Sequence, residues 1–129
     1  MDFQRIKEQI TENNPQHFLT VVLENQQDKE STLIFSETIE DQFEQNIQYL
    51  CSDETISFDD ILIWKQHGFL VVAQTIDGDY IAATTEQTFV IPVSLYKSDI
   101  ETYDLFITDF FIAYTTGTIR SEFLPEINK

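Results

Sequence analysis

Two aspartates flank a glycine at Asp77-Gly78-Asp79, inside the stretch AQTIDGDYIAATT between two apolar runs. Carboxylates so close together can bind a divalent cation, share a proton in acid–base catalysis, or simply help the glycine turn the chain. An EF-hand loop beginning at Asp77 needs oxygen ligands where Ile81 and Ala83 stand, a glycine where Ala82 stands, and a bidentate glutamate where Thr88 stands. It has none of these. No histidine or nucleophile is tied to the pair, and in a chain with 23 Asp and Glu such pairs arise from composition alone. Asp77-Gly78 is, by contrast, the dipeptide that two-residue hairpin turns demand, because glycine accepts positive φ and aspartate tolerates it. Asp77, Gly78, Asp79 and Tyr80 are therefore read as a structural turn that shapes a hairpin.

Other constellations offer less. With only 3 glycines, Gly68, Gly78 and Gly117, the chain cannot build a P-loop or a dinucleotide fingerprint. One cysteine, Cys51, and two histidines, His17 and His67, cannot supply a zinc site of Cys and His ligands. His67 beside Gly68 reads as a turn residue, and no G-x-S-x-G frames a serine. The expectation is a protein without catalysis, metal or cofactor.

The elements that must position these residues follow from periodicity. Phe3, Ile6 and Ile10 predict a short amphipathic helix over 2–13, stopped by Asn13-Asn14-Pro15. The β-branched and aromatic runs 17–24 and 31–35 predict two strands, joined by a polar loop over 25–30, with a buried helical turn as the alternative for HFLTVVL, 17–23. Ile39, Phe43, Ile47 and Leu50 form one helical stripe, so a second helix is expected over 38–51, with Thr38 and Asp41 as a capping box and Cys51 as a small buried hydrophobe. The runs 61–64, 69–73, 80–83 and 88–91 read as an antiparallel meander, closed by Pro92. Ser98 and Glu101 form a second capping box, and Ile100, Tyr103, Phe106, Phe110 and Tyr114 extend a third helix from about 99 to 115, with Gly117 at its end. The class is α+β: a single domain, 1–129, with an antiparallel sheet meander flanked by helices.

Hydrophobic residues make up 42% and include 11 Phe, enough to fill one core in 129 residues. The formal charge of −16 repels phosphate and anionic lipid and attracts basic surfaces, which argues against direct nucleic-acid or membrane binding. No basic residue falls between Lys29 and Lys65. Glu37, Glu40, Asp41 and Glu44 on the second helix, with Asp59 and Asp60 after it, are the candidate partner-facing residues. The lone cysteine, a start without the apolar run of a secretory signal, and apolar runs too short to span a bilayer predict a cytoplasmic protein.

The segment 68–81, GFLVVAQTIDGDYI, resembles the central motif of the SUKH superfamily, in which a strand ending near an alanine passes through a Gly-Asp turn into a second strand. Downstream, a third strand over 88–93 and a helix carrying Phe110-Phe111 are similar to that family's order, so the likeness covers about residues 58–116. The resemblance implies a bacterial immunity-type protein that binds and neutralises a cognate toxin, often a nuclease, by stoichiometric contact; fungal relatives regulate cell-wall assembly. The negative charge agrees independently, since a nuclease must present cations to phosphate. Two other readings stand beside it. One is a regulatory or scaffold module of the same fold with an endogenous protein partner. The other is a small-ligand binder or enzyme built around an aromatic pocket between the sheet and the third helix.

Overall fold

Asn14-Pro15 starts a helix in this chain rather than merely ending one. The computed structural model describes residues 3–25, 33–48, 53–119, 121 and 124. Helix α1 spans Phe3–Gln9 and helix α2 spans Pro15–Asn25. The Asn14 side-chain oxygen accepts the His17 backbone N–H at 2.7 Å, and Pro15 occupies the first helical position, where a missing N–H costs nothing. The strand expected over 17–24 is thus corrected to a helix. Phe18, Leu19, Val21 and Val22 are all buried along it, a spacing that one helical face supplies as readily as a strand would. The hairpin expected to join it to 31–35 disappears with it. Residues 26–32 lie outside the described residues.

Among the described residues five strands form one antiparallel sheet in chain order: β1 Leu33–Phe35, β2 Leu70–Thr75, β3 Tyr80–Ala83, β4 Thr88–Ile91 and β5 Glu101–Tyr103. The chain is an α+β protein, and β2 to β5 are a meander. Between β1 and β2 it leaves the sheet to form helix α3, Ile39–Gln48, and helix α4, Phe58–Lys65. The strand expected over 61–64 is therefore also a helix. Its start signal is local: the Ser57 hydroxyl accepts the Asp60 N–H at 3.1 Å and the Asp60 carboxylate accepts the Ser57 N–H at 2.9 Å, a complete capping box. The other two boxes expected from sequence do not form. Thr38 engages the Ser36 hydroxyl instead, and the residues after Ser98 enter β5.

A single helix over 99–115 is not what the chain builds. Lys97–Asp99 make one 3-10 turn, Glu101–Tyr103 pair with β4, and helix α5 spans Ile107–Thr115. Phe89 opposite Thr102 and Val90 opposite Glu101 fix that register, so the open edge of β4 outweighs the helical spacing of Ile100 and Tyr103. Gly117 ends α5 as expected. It adopts φ +78°, its N–H reaches the Tyr114 carbonyl and the Thr118 N–H reaches Ala113 at 2.8 Å, the paired bonds of a Schellman motif.

Both faces of the sheet are covered, and β3 shows why. Tyr80 and Ala82 point into one core, with Ile39, Phe43, Ile47 and Ile61 from α3 and α4. Ile81 and Ala83 point into the other, with Phe3, Phe18, Phe110 and Phe111 from α1, α2 and α5. Every residue of β3 is buried, so this central strand reads as an unbroken apolar run instead of an alternation. Phe111 anchors the second core, stacked on Phe3 at 4.7 Å and meeting Phe35 edge-on at 5.5 Å. Among the described residues no helix is long and apolar enough to cross a membrane.

Candidate partner-binding face

The turn that opened the sequence reading closes β2 onto β3. Gly78 has φ +101°, its N–H donates to the Thr75 carbonyl at 3.0 Å, and the Thr75 N–H donates to the Asp79 carbonyl at 2.8 Å. The loop is Ile76-Asp77-Gly78, a three-residue hairpin with glycine in the left-handed position, where sequence had indicated a two-residue turn at Asp77-Gly78. Asp77 is exposed. Asp79 is buried, and its carboxylate accepts the Val93 N–H at 2.8 Å. Tyr80 packs edge-on against Phe43 at 5.0 Å and its hydroxyl accepts a hydrogen bond from the Asn46 side chain at 2.6 Å. The turn residues thus bind β2, β3, β4 and α3 to one another.

The six acidic residues singled out from sequence separate into two groups. Glu40 departs furthest from the expectation: it is only 8% exposed and its carboxylate accepts the backbone N–H of Val71. The reason lies in the register. β1 pairs with Thr75, Gln74 and Ala73 and reaches no further along β2, and a bulge between Val71 and Ala73 breaks the ladder on the other side. Val71 therefore presents an amide that no β1 residue meets, and a carboxylate from α3 takes the place of a strand. Burial pushes the Glu40 carboxyl above the usual carboxylate range, with the Val71 N–H and the Lys65 ammonium opposing the rise and Glu44 adding to it.

Lys65 completes this clamp. Its ammonium bonds to the Glu44 carboxylate and stands 3.7 Å from the other Glu40 oxygen, which has no hydrogen-bond partner. The Glu44 hydrogen bond is the main cause of a raised Lys65 value, partial burial opposing it. Glu40 and Glu44 are consequently engaged within the chain. Asp60 is engaged as well, by Ser57 and by Lys97 at 3.4 Å. Partial burial alone would raise its carboxyl, but the Ser57 and Lys97 interactions together hold it below the usual range. The remaining three, Glu37, Asp41 and Asp59, are exposed and form no ion pair among the described residues.

What sequence reasoning missed is the apolar surface of α4. Of this helix only Ile61 is buried, while Phe58 is 45%, Leu62 49% and Ile63 54% exposed. Phe58 and Leu62 lie one turn apart, and Asp59 and Ile63 form the adjacent row. Read as a strand, this segment would have buried those side chains. An isolated bridge from Thr55 to Tyr96 sets Tyr96, itself exposed, beside the approach to α4. The arrangement is an exposed apolar row with the exposed carboxylate of Asp59 beside it.

No three His, Cys, Asp or Glu side chains come together to hold a metal ion among the described residues. Cys51 lies outside them. The chain matches no known family model, and neither the curated proteins nor the solved structures compared with it gave a match.

Proposed function

We propose that the protein is a cytoplasmic immunity-type binding protein that neutralises a cognate toxin by stoichiometric contact, without catalysis. The observation that carries this reading is the exposed row Phe58, Leu62 and Ile63 beside Asp59. Large apolar side chains grouped on one exposed helix mark protein interfaces, where they supply the desolvated centre. The Asp59 carboxylate beside it, on a chain of net charge −16, favours a basic partner and speeds its encounter. A nuclease toxin fits that description because its own substrate is a polyanion. The likeness of residues 58–116 to the SUKH superfamily points the same way, although α4 makes its first part a helix.

The test is co-expression with a candidate toxin, sought as a large secreted protein encoded next to this one. Growth arrested by the toxin should be restored, and the two chains should co-elute as a one-to-one complex. Phe58→Ser with Leu62→Ser should abolish both effects while the chain stays folded with only a modest drop in melting temperature, since about half of each side chain is exposed. Continued arrest with the parent protein, or full protection by the double variant, would refute the proposal.

A further inference from the structure

On the α3/α4 face the helices leave one corner of the sheet uncovered. There a cleft of about 890 Å³ opens between the end of α4, the β3–β4 turn and β5. Its floor is aromatic and aliphatic: Trp64, Phe69, Phe89 and Ile100, with ring centroids 5.2 Å apart for Trp64–Phe69 and 6.1 Å for Phe69–Phe89. The pocket expected between the sheet and the third helix is not this one, because α5 packs on the opposite face.

Most of the rim is made of uncharged hydrogen-bonding groups. Gln66, His67, Thr85 and Thr102 are exposed around it and make no side-chain hydrogen bonds among the described residues. Thr84 accepts the Gln87 N–H at 3.2 Å and so keeps its own hydroxyl hydrogen for a ligand. Gln87 donates to Asp104 at 2.7 Å and keeps its carbonyl oxygen. The lining carries one cation, Lys97, and one anion, Glu86, and Lys97 already stands 3.4 Å from Asp60. In a chain of net charge −16 this lining is nearly uncharged and offers no free cation among the described residues.

We infer that the cleft, with its aromatic floor and uncharged amide and hydroxyl rim, binds a short neutral saccharide. An anion meets a lysine already paired with Asp60 and a protein that repels it as a whole, and a cation finds a single exposed carboxylate, Glu86, in the lining. A purely apolar ligand would strip water from the rim and leave its donors and acceptors unpaired. A sugar ring satisfies both surfaces, laying its C–H face on Trp64 and Phe89 and turning its hydroxyls to Gln66, Thr84, Thr85 and Thr102. The cleft's volume lies within the roughly 300–1,000 Å³ of ligand sites, and its open side admits a chain of several rings.

Trp64 is the only tryptophan in the chain, so its fluorescence reports occupancy directly. Maltotriose, cellotriose and acetylated chitotriose should be titrated separately, with adenosine as a neutral, planar comparison. At least one saccharide should shift Trp64 emission saturably, with half-saturation at or below about 1 mM. Thr85→Val with Thr102→Val removes two rim hydroxyls at constant shape and should raise that concentration about tenfold, with the melting temperature unchanged. Gln66→Ala, at a third exposed position, should weaken binding in the same sense, whereas Glu8→Gln on α1, across the sheet, should not. The assignment is overturned by an absence of response to all three saccharides, by a response to adenosine alone, or by rim variants that bind as the parent does.

Discussion

The Asp79 carboxylate accepts the Val93 N–H at 2.8 Å, joining the β2–β3 turn to the residue that follows Pro92. The same two segments meet a second time, since a Cβ at Gly78 would lie 3.1 Å from Val93 Cγ2. Glycine at φ +101° is thus required by backbone geometry, and a Cβ there would also make the exposed Val93 side chain shift by a few tenths of an ångström.

Gly78→Ala should destabilise the fold by about 1–3 kcal/mol, from an L-residue forced into the left-handed region against Val93. Asp79→Ala should cost about 1 kcal/mol through the lost hydrogen bond. Denaturant unfolding of both variants checks this, and a Gly78→Ala variant as stable as the parent would contradict the turn geometry.

Glu40 gives stability a particular pH dependence. Its carboxyl is raised in the folded chain, chiefly by burial, so the folded state binds that proton more tightly than the unfolded state. The associated stabilisation is complete below the ordinary carboxylate value and is lost as pH rises through the raised value. Asp60, held low, works in the opposite sense: its stabilisation is present above the ordinary value and is lost as pH falls through the lowered one. Glu40→Gln should therefore gain stability relative to the parent as pH rises from mildly acidic to neutral. A parent–variant difference that does not vary with pH would show that Glu40 titrates normally.

The capping box is the local switch that makes 58–65 a helix. Ser57→Ala should lower stability by about 1 kcal/mol, and Ser57→Asp, which can still accept the Asp60 N–H, should recover part of the loss. Thermal unfolding monitored by circular dichroism distinguishes the two variants, and equal midpoints would indicate that the box does not hold α4.

Charge steering should act through the exposed carboxylates and not through those engaged by Lys65. Glu37→Gln, Asp41→Asn and Asp59→Asn together should slow association with the proposed basic partner at least about threefold at low salt. Glu8→Gln on α1, across the sheet, should leave the rate nearly unchanged. Because the Debye length is about 8 Å at physiological ionic strength, the parent's advantage should shrink as salt is added. Stopped-flow rates over a salt series measure it, and a parent rate indifferent to salt would remove steering from the mechanism.

The sequence by itself determined the class, the β2–β3–β4 meander, the glycine turn and the aromatic helix that carries Phe110 and Phe111. Each depends on local chemistry: a short apolar run bounded by turn residues, a glycine at positive φ, a helical stripe of rings. It also contained Asn14-Pro15 and the Ser57/Asp60 box, signals for α2 and α4 that the β-branched residues beside them outweighed in the reading. Only the tertiary structure decided the fate of residues whose neighbours are distant in sequence. Residues 101–103 became a strand because β4 offered an open edge. Glu40 turned inward because β1 stops opposite Ala73 and leaves the Val71 amide without a strand partner, a vacancy no spacing along α3 could announce. The exposed row on α4 and the cleft beside Trp64 arise in the same way, from where the helices end over the sheet. Hydrophobic patterning fixes which residues can be buried, but coverage by other elements decides which of them are.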